Sequence, residues 1–85
     1  MTRILGIAPY EGLKNMMLSL AQPREDIFLT AYEANYLDGL RLAQAEDLSA
    51  YDIIVSRGGT ADLLREMLSI PVVSVELSYY DILNA

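Results

Sequence analysis

The sequence contains no cysteine and no histidine. Without cysteine there can be no disulfide and no thiolate nucleophile, and without histidine there is no imidazole base. Ordinary zinc sites use one or both of these side chains, so the sequence also predicts no zinc site. The absence of cysteine fits a cytoplasmic protein, which is the location we expect.

Basic charge is also scarce. Six lysine and arginine residues stand against twelve acidic ones, which gives a formal net charge of −6, and Lys14 is the only lysine. Contact with the phosphate backbone of DNA or RNA depends on clustered basic side chains. The sequence therefore predicts no direct contact with nucleic acid.

Long hydrophobic runs are missing as well. The apolar stretch at residues 4–8 is too short to span a membrane, and the N-terminus lacks the layout of a signal peptide. Hydrophobic residues nevertheless make up 53% of the 85 residues, which is typical of a packed globular unit. We expect one domain and neither export nor membrane insertion.

Short apolar runs alternate with amphipathic stretches along the chain. The runs predict strands at residues 4–8, 26–32, 53–55 and 72–75. Apolar residues at helical spacing predict a helix after each of the first three strands. Asn35 and Thr60 are the expected N-caps of the second and third helices, and Leu48 is expected on the second. Ser78 would begin a last helix.

This alternation implies a parallel sheet, because strands joined through helices run in one direction. Right-handed crossovers then give the strand order 2-1-3-4. The sequence therefore predicts a three-layer, flavodoxin-like α/β fold. Because the last helix barely starts before Ala85, we expect residues 1–85 to be a single unit truncated at its C-terminus.

A pair of glycines marks the turn after the third predicted strand, the glycine turn (residues 56–60). Ligands of open parallel sheets bind outside the carboxyl ends of the strands. Backbone N–H groups at the start of a helix attract anions there, and an arginine can form paired hydrogen bonds with a carboxylate. The same pattern fits a plain tight connection, with Thr60 as a helix cap and Arg57 on the surface. The turn consists of Ser56, Arg57, Gly58, Gly59 and Thr60.

Two other strand ends supply candidate ligand groups. Tyr10 follows the first strand and would face the same crevice; in the alternative interpretation this segment only starts a helix. Ser78, Tyr80 and Asp81 follow the fourth strand and would add two hydroxyls and a carboxylate. In the alternative interpretation Ser78 caps the helix, one tyrosine packs in the core and Asp81 complements the helix dipole.

The chain offers no catalytic constellation. Ser56 has no histidine to activate it, and Lys14 lies on a helix away from the crevice. Receiver domains that accept phosphate need acidic residues after the first strand and an aspartate after the third, where this sequence has Pro9-Tyr10 and Ser56-Arg57. The acidic residues are scattered, so we expect no metal site and no cofactor. We predict that the protein is not an enzyme. Acid/base catalysis is the function that the sequence favours least.

Three segments carry a resemblance to a known family. They are the run DIIVSRGGTA at residues 52–61, IPVV at residues 70–73 and YDIL at residues 80–83. In order and spacing they resemble the N-terminal sensor domain of propionate-catabolism activators. Residues 4–20 fit the first strand and helix of that family more loosely.

The resemblance implies a sensor attached to the ATPase and DNA-binding modules of a sigma-54-dependent transcription activator. The family domain has two α/β lobes with the effector in their cleft, and this chain matches the first lobe only. The effector of the founding members is 2-methylcitrate, so a small carboxylate is the implied ligand. Carried over by position, the anion site would be Arg57, Gly58, Gly59 and Thr60, and the cleft would be lined by Ser78, Tyr80 and Asp81.

A second function stays open from the composition alone. A chain this small and this apolar is expected to leave some hydrophobic surface uncovered. It could therefore be a self-associating or partner-docking module, for instance a homodimer, that binds no small molecule.

Overall fold

A computed structural model gives the fold and describes residues 1–75. The helix expected from Ser78 lies outside the described residues. Strands and helices alternate as the hydrophobic pattern predicts. The elements are β1 (Thr2–Ala8), α1 (Glu11–Ala21), β2 (Ile27–Glu33), α2 (Leu37–Ala45), a 3-10 helix (Leu48–Ala50), β3 (Ile53–Ser56), α3 (Gly58–Met67) and β4 (Val72–Ser74).

The four strands form one parallel sheet in the order β2-β1-β3-β4. Strand β1 is central and pairs with β2 along all seven of its residues. The predicted fold class, a flavodoxin-like α/β sheet with order 2-1-3-4, is confirmed. Parallel pairing brings the carboxyl ends of all four strands to one edge of the sheet, the carboxyl edge.

The core lies on both faces of the sheet, because alternate residues of a strand point to opposite sides. One face packs against α2 and α3 through a cluster that includes Leu5, Ile54 and Leu64. The other packs against α1 through Leu13 and Met17. The resulting arrangement has three layers, with the sheet in the middle.

Both predicted helix caps are wrong. Helix α2 follows Tyr36 rather than Asn35, and α3 follows Arg57 rather than Thr60, with no side-chain cap in either case. The reason is a tertiary contact: the Thr60 hydroxyl donates to the Asn35 amide oxygen at 3.2 Å. Each side chain bonds to the other instead of capping a helix of its own.

The second helix is shorter than predicted. It ends at Ala45, and Leu48 belongs to the 3-10 helix that follows. The Asp47 side chain starts this separate turn by accepting from the backbone N–H of Ser49 at 3.1 Å. A side chain that bonds the backbone two residues ahead favours a new turn over a longer α-helix.

An acidic side chain holds the amino ends of two strands together, far from the carboxyl edge. The Arg3 backbone N–H donates to an Asp52 carboxylate oxygen at 2.7 Å. This hydrogen bond lowers the pKa of the Asp52 carboxyl below its ordinary value of 3.8. A carboxyl whose pKa is lower in the folded state stabilises the fold above the unfolded value, and that contribution is lost as the pH falls through the folded value.

Replacing Asp52 with asparagine should therefore flatten the acid side of the stability profile. We expect the free energy of unfolding of D52N to fall less between about pH 5 and pH 2 than that of the parent chain. Urea unfolding at several pH values measures this. The control is Glu66→Gln, which removes one exposed carboxylate from α3. An equal acid loss in D52N and the parent chain would contradict the assignment.

Candidate ligand-binding edge

Three connections meet at the carboxyl edge within the described residues. Tyr10 follows β1, Tyr36 follows β2, and the glycine turn follows β3. The Ala34 N–H donates to the Ala8 carbonyl at 2.9 Å, which extends the β1–β2 ladder up to these connections. The first two of these connections therefore follow β1 and β2, the pair of strands with the longest ladder in the sheet.

Helix α3 begins with backbone donors that have no acceptor within residues 1–75. Its first intrahelical bond joins the Ala61 N–H to the Arg57 carbonyl at 3.3 Å. The preceding N–H groups, those of Gly58, Gly59 and Thr60, have no helical acceptor, and the residue before the helix supplies no side-chain cap. Such donors, together with the positive end of the helix dipole, favour an anion.

Gly58 is required by the backbone of the turn. Its φ is +59°, a value that residues with a side chain rarely adopt. A β-carbon added there would meet nothing within 4 Å, so conformation and not crowding selects glycine. Gly58 and Gly59, at the start of α3, are exposed to solvent.

Arg57 reaches across the edge towards the β1 connection. Its guanidinium donates to the Tyr10 hydroxyl at 3.4 Å, a long and therefore weak hydrogen bond. The Tyr10 side chain is 41% exposed and Arg57 is partly exposed. The arginine is therefore held over the edge by a contact that a carboxylate could easily replace.

Tyr36 is a residue of this edge that the sequence analysis missed. Its ring lies beside Gly59, where an added β-carbon would be 3.8 Å from a ring carbon, and it is 51% exposed. Its backbone φ is +48°, which is strained for a residue with a bulky side chain. Strain of this kind costs about 1–3 kcal/mol and persists only where surrounding contacts hold it.

Thr60 supplies the contact that holds Tyr36. The Thr60 hydroxyl accepts from the Tyr36 backbone N–H at 2.9 Å while it donates to Asn35. Its side chain is buried, and its methyl group faces Gly39 of α2, where an added β-carbon would be 3.0 Å away. The hydroxyl is thus used inside the protein and is not available to a ligand.

Removing this hydroxyl should loosen the edge. Thr60→Val keeps the shape of the side chain but leaves the Tyr36 N–H without its acceptor. The expected loss is about 1–3 kcal/mol in the free energy of unfolding. Denaturant unfolding measures it, with Thr60→Ser as the variant that retains the hydroxyl. Equal stability of the valine variant and the parent chain would show that the contact has no energetic role.

The Ser56 side chain links the start of the glycine turn to β1. Its hydroxyl donates to the Ile7 carbonyl at 2.6 Å, and the residue is completely buried. No surface of Ser56 is open to a ligand, so the structure gives its side chain a role in tying β3 to β1. The expected cleft residues Ser78, Tyr80 and Asp81 lie outside the described residues.

In the described part of the chain, the groups whose pKa is shifted lie outside the glycine turn. The Arg24 side chain lowers the pKa of Asp26, the Ser49 hydroxyl lowers that of Asp47, and the Glu46 carboxylate raises that of Tyr32. Within residues 1–75, no group of three or more acidic side chains is placed to hold a metal ion. The chemistry that the turn offers is hydrogen bonding and positive charge, which suits binding.

Two surface pockets lie beside α1 and not at the carboxyl edge. Their volumes are about 540 and 230 Å³. The smaller one is apolar, with Met16, Leu20 and Val75 among its lining residues. In the glycine turn, Gly58 and Gly59 are exposed. Among the described residues, no helix is long and apolar enough to cross a membrane.

A parallel sheet of order 2-1-3-4 with an uncapped helix start at its carboxyl edge defines a flavodoxin-like α/β lobe. The chain belongs to the propionate catabolism activator family, whose sequence model matches residues 24–85. The match takes in β2 and all later elements, including the glycine turn, while β1 and α1 precede it. No curated protein and no solved structure matches the chain. Membership of this family indicates a regulatory domain.

Proposed function

We propose that this chain is an effector-sensing lobe of a sigma-54-dependent transcription activator and that its glycine turn binds a small carboxylate. The observation that carries the proposal is the set of N–H groups at the start of α3 that have no acceptor within residues 1–75, at the same edge of the sheet as the Arg57 guanidinium. Family membership supplies the regulatory setting.

The proposed contacts divide between the backbone and one side chain. The N–H groups of Gly59 and Thr60 donate to one carboxylate oxygen, and Arg57 turns from Tyr10 to form charge-assisted hydrogen bonds with the other. Giving up the 3.4 Å contact with Tyr10 costs little, because that bond is long. The exposed Tyr36 ring covers the apolar part of the ligand next to Gly59.

Signalling requires that the ligand prefer one state of the protein. A second lobe closing over the open glycine turn would add contacts available only in the closed form. A ligand that binds both forms equally shifts nothing, so these added contacts set the size of the response. In the proposed parent protein, located in the cytoplasm, closure relieves repression of the attached ATPase and DNA-binding modules.

Calorimetric titration of the chain with carboxylates tests the proposal. The panel is 2-methylcitrate, citrate, succinate and acetate, with a neutral polyol as the control. Since one lobe offers only part of a cleft, we expect dissociation constants of the order of 1 mM, which corresponds to about −4 kcal/mol. Di- and tricarboxylates should bind more tightly than acetate. No heat above that of the polyol for any anion would contradict carboxylate binding.

The alternative from composition, a self-associating module, concerns other surfaces of the fold. The open donors at the start of α3 favour ligand binding at the carboxyl edge, whatever the oligomeric state. Self-association can therefore accompany ligand binding, whereas a module that binds no small molecule is excluded if carboxylates bind.

A further inference from the structure

Strand β2 has an outer edge that no other described strand pairs with. The even-numbered residues of β2 form the hydrogen bonds to β1. Two bonds establish this register: the Thr2 N–H donates to the Asp26 carbonyl, and the Ala34 N–H donates to the Ala8 carbonyl. The odd-numbered residues must then direct their N–H and C=O groups away from β1. They are Ile27, Leu29, Ala31 and Glu33.

At the opposite edge of the sheet, the outward backbone groups of the last described strand are partly covered. On β4 the outward carbonyl is that of Val72, and the Arg65 guanidinium donates to it at 3.2 Å. That strand is also only three residues long, and Pro71 precedes it. Short strands, proline and covering side chains are common ways to prevent edge pairing. Within residues 1–75, no side chain covers the outer edge of β2 in this way.

The side chains of β2 also leave it open to pairing. The strand is seven residues long and has no proline and no lysine. Its one charged residue is Glu33, at the end. Phe28 is 55% exposed, and the pocket of about 540 Å³ runs along this edge between Phe28 and Leu18 of α1. A seven-residue edge with one terminal charge and exposed apolar groups is a template for another strand.

We propose that the outer edge of β2 is a dimer interface, on which a second copy of this chain pairs antiparallel about Thr30. In that register Ile27 faces Glu33 of the other copy, and Leu29 faces Ala31. Every residue with outward N–H and C=O groups thus meets another such residue. Each of these pairs exchanges two hydrogen bonds, about eight in all.

Charge and shape agree with a second copy as the occupant. The two Glu33 side chains come to lie at opposite ends of the paired strands, about 20 Å apart, so they do not repel each other appreciably. The two-fold axis crosses the sheet at Thr30, which places both copies of α1 on the same face. There Leu18 of each copy borders the same groove along the paired edge. The result is one continuous sheet of eight strands.

Sedimentation equilibrium over a range of concentrations tests the dimer. We expect the mass to rise from one chain to two as the concentration increases. Thr30→Lys places two like charges directly opposite each other and should weaken dimerisation by at least roughly tenfold. Gln44→Lys makes the same change of charge on the exposed face of α2 and should dimerise normally. A monomer at every concentration, or a dimer that Thr30→Lys leaves intact, would overturn the proposal.

Hydrogen exchange of the unmodified chain gives a second test that does not depend on any variant. The N–H groups of Phe28, Thr30 and Tyr32 bond to β1 and should be protected at all concentrations. Those of Leu29 and Ala31 should become protected only as the concentration rises. Protection of Leu29 and Ala31 in dilute monomer would mean that the chain covers its own edge, and would overturn the proposed dimer. Since this edge lies apart from the glycine turn, neither result bears on carboxylate binding.

Discussion

Arg57→Ala should weaken carboxylate binding by about 10–100-fold, because a hydrogen bond to a charged group contributes about 1.5–3 kcal/mol. The guanidinium makes only a long contact with Tyr10 in the folded chain. Its loss should therefore change the free energy of unfolding by less than about 0.5 kcal/mol. A large fall in affinity with unchanged stability is the signature of a ligand contact.

Arg57→Lys is the matched control for charge. Lysine keeps the positive charge but cannot form the forked pair of hydrogen bonds, so we expect an affinity between those of the parent chain and the alanine variant. Calorimetric titration with citrate measures all three proteins. Equal affinity in the alanine variant and the parent chain would remove Arg57 from the site.

Leu64→Ala should have the largest effect on the fold. Leu64 is completely buried on α3, in the cluster that joins this helix to β1 and β3. Truncating a buried leucine removes apolar contacts and leaves a cavity, at a cost of about 2–5 kcal/mol. Small domains have total stabilities of about 5–15 kcal/mol, so the variant should unfold at a much lower urea concentration.

Leu20→Ala is the matched control for this substitution. Leu20 is 69% exposed on α1, and the same truncation there should change stability by less than about 0.5 kcal/mol. Urea unfolding followed by circular dichroism measures both variants. Similar midpoints for L64A and L20A would contradict the assignment of the core face of α3.

The strands were predictable from the sequence because each one appears there as a short apolar run. Residues 4–8 and 53–55 are continuous apolar runs, as strands covered on both faces must be. Right-handed crossovers then restrict the sheet to a few orders, of which 2-1-3-4 is a common one. This reasoning uses only local pattern and general topology, and the structure confirms it.

The helix starts were not predictable in the same way. Asn35 and Thr60 are good cap residues, and each stands near the start of a helix. Their side chains bond to each other instead, across 25 positions of sequence. A contact between distant residues leaves no trace in local preference, so only the fold reveals it.

Tyr36 was missed for a related reason. A tyrosine after a strand has no pattern that marks it as strained, and its positive φ depends on the bond from its N–H to Thr60. Position alone was the available signal, because Tyr36 follows β2 at the carboxyl edge just as Tyr10 follows β1. The glycine turn was found because Gly58 and Gly59 are conspicuous in the sequence itself.

The central claim is that a carboxylate binds at the start of α3, and amide chemical shifts test it most directly. The nitrogen-15-labelled chain is titrated with 2-methylcitrate and with citrate. We expect the N–H signals of Gly58, Gly59 and Thr60 to move most and to saturate together. Signals that stay fixed at the highest anion concentration, or largest changes beside α1, would contradict carboxylate binding at the start of α3.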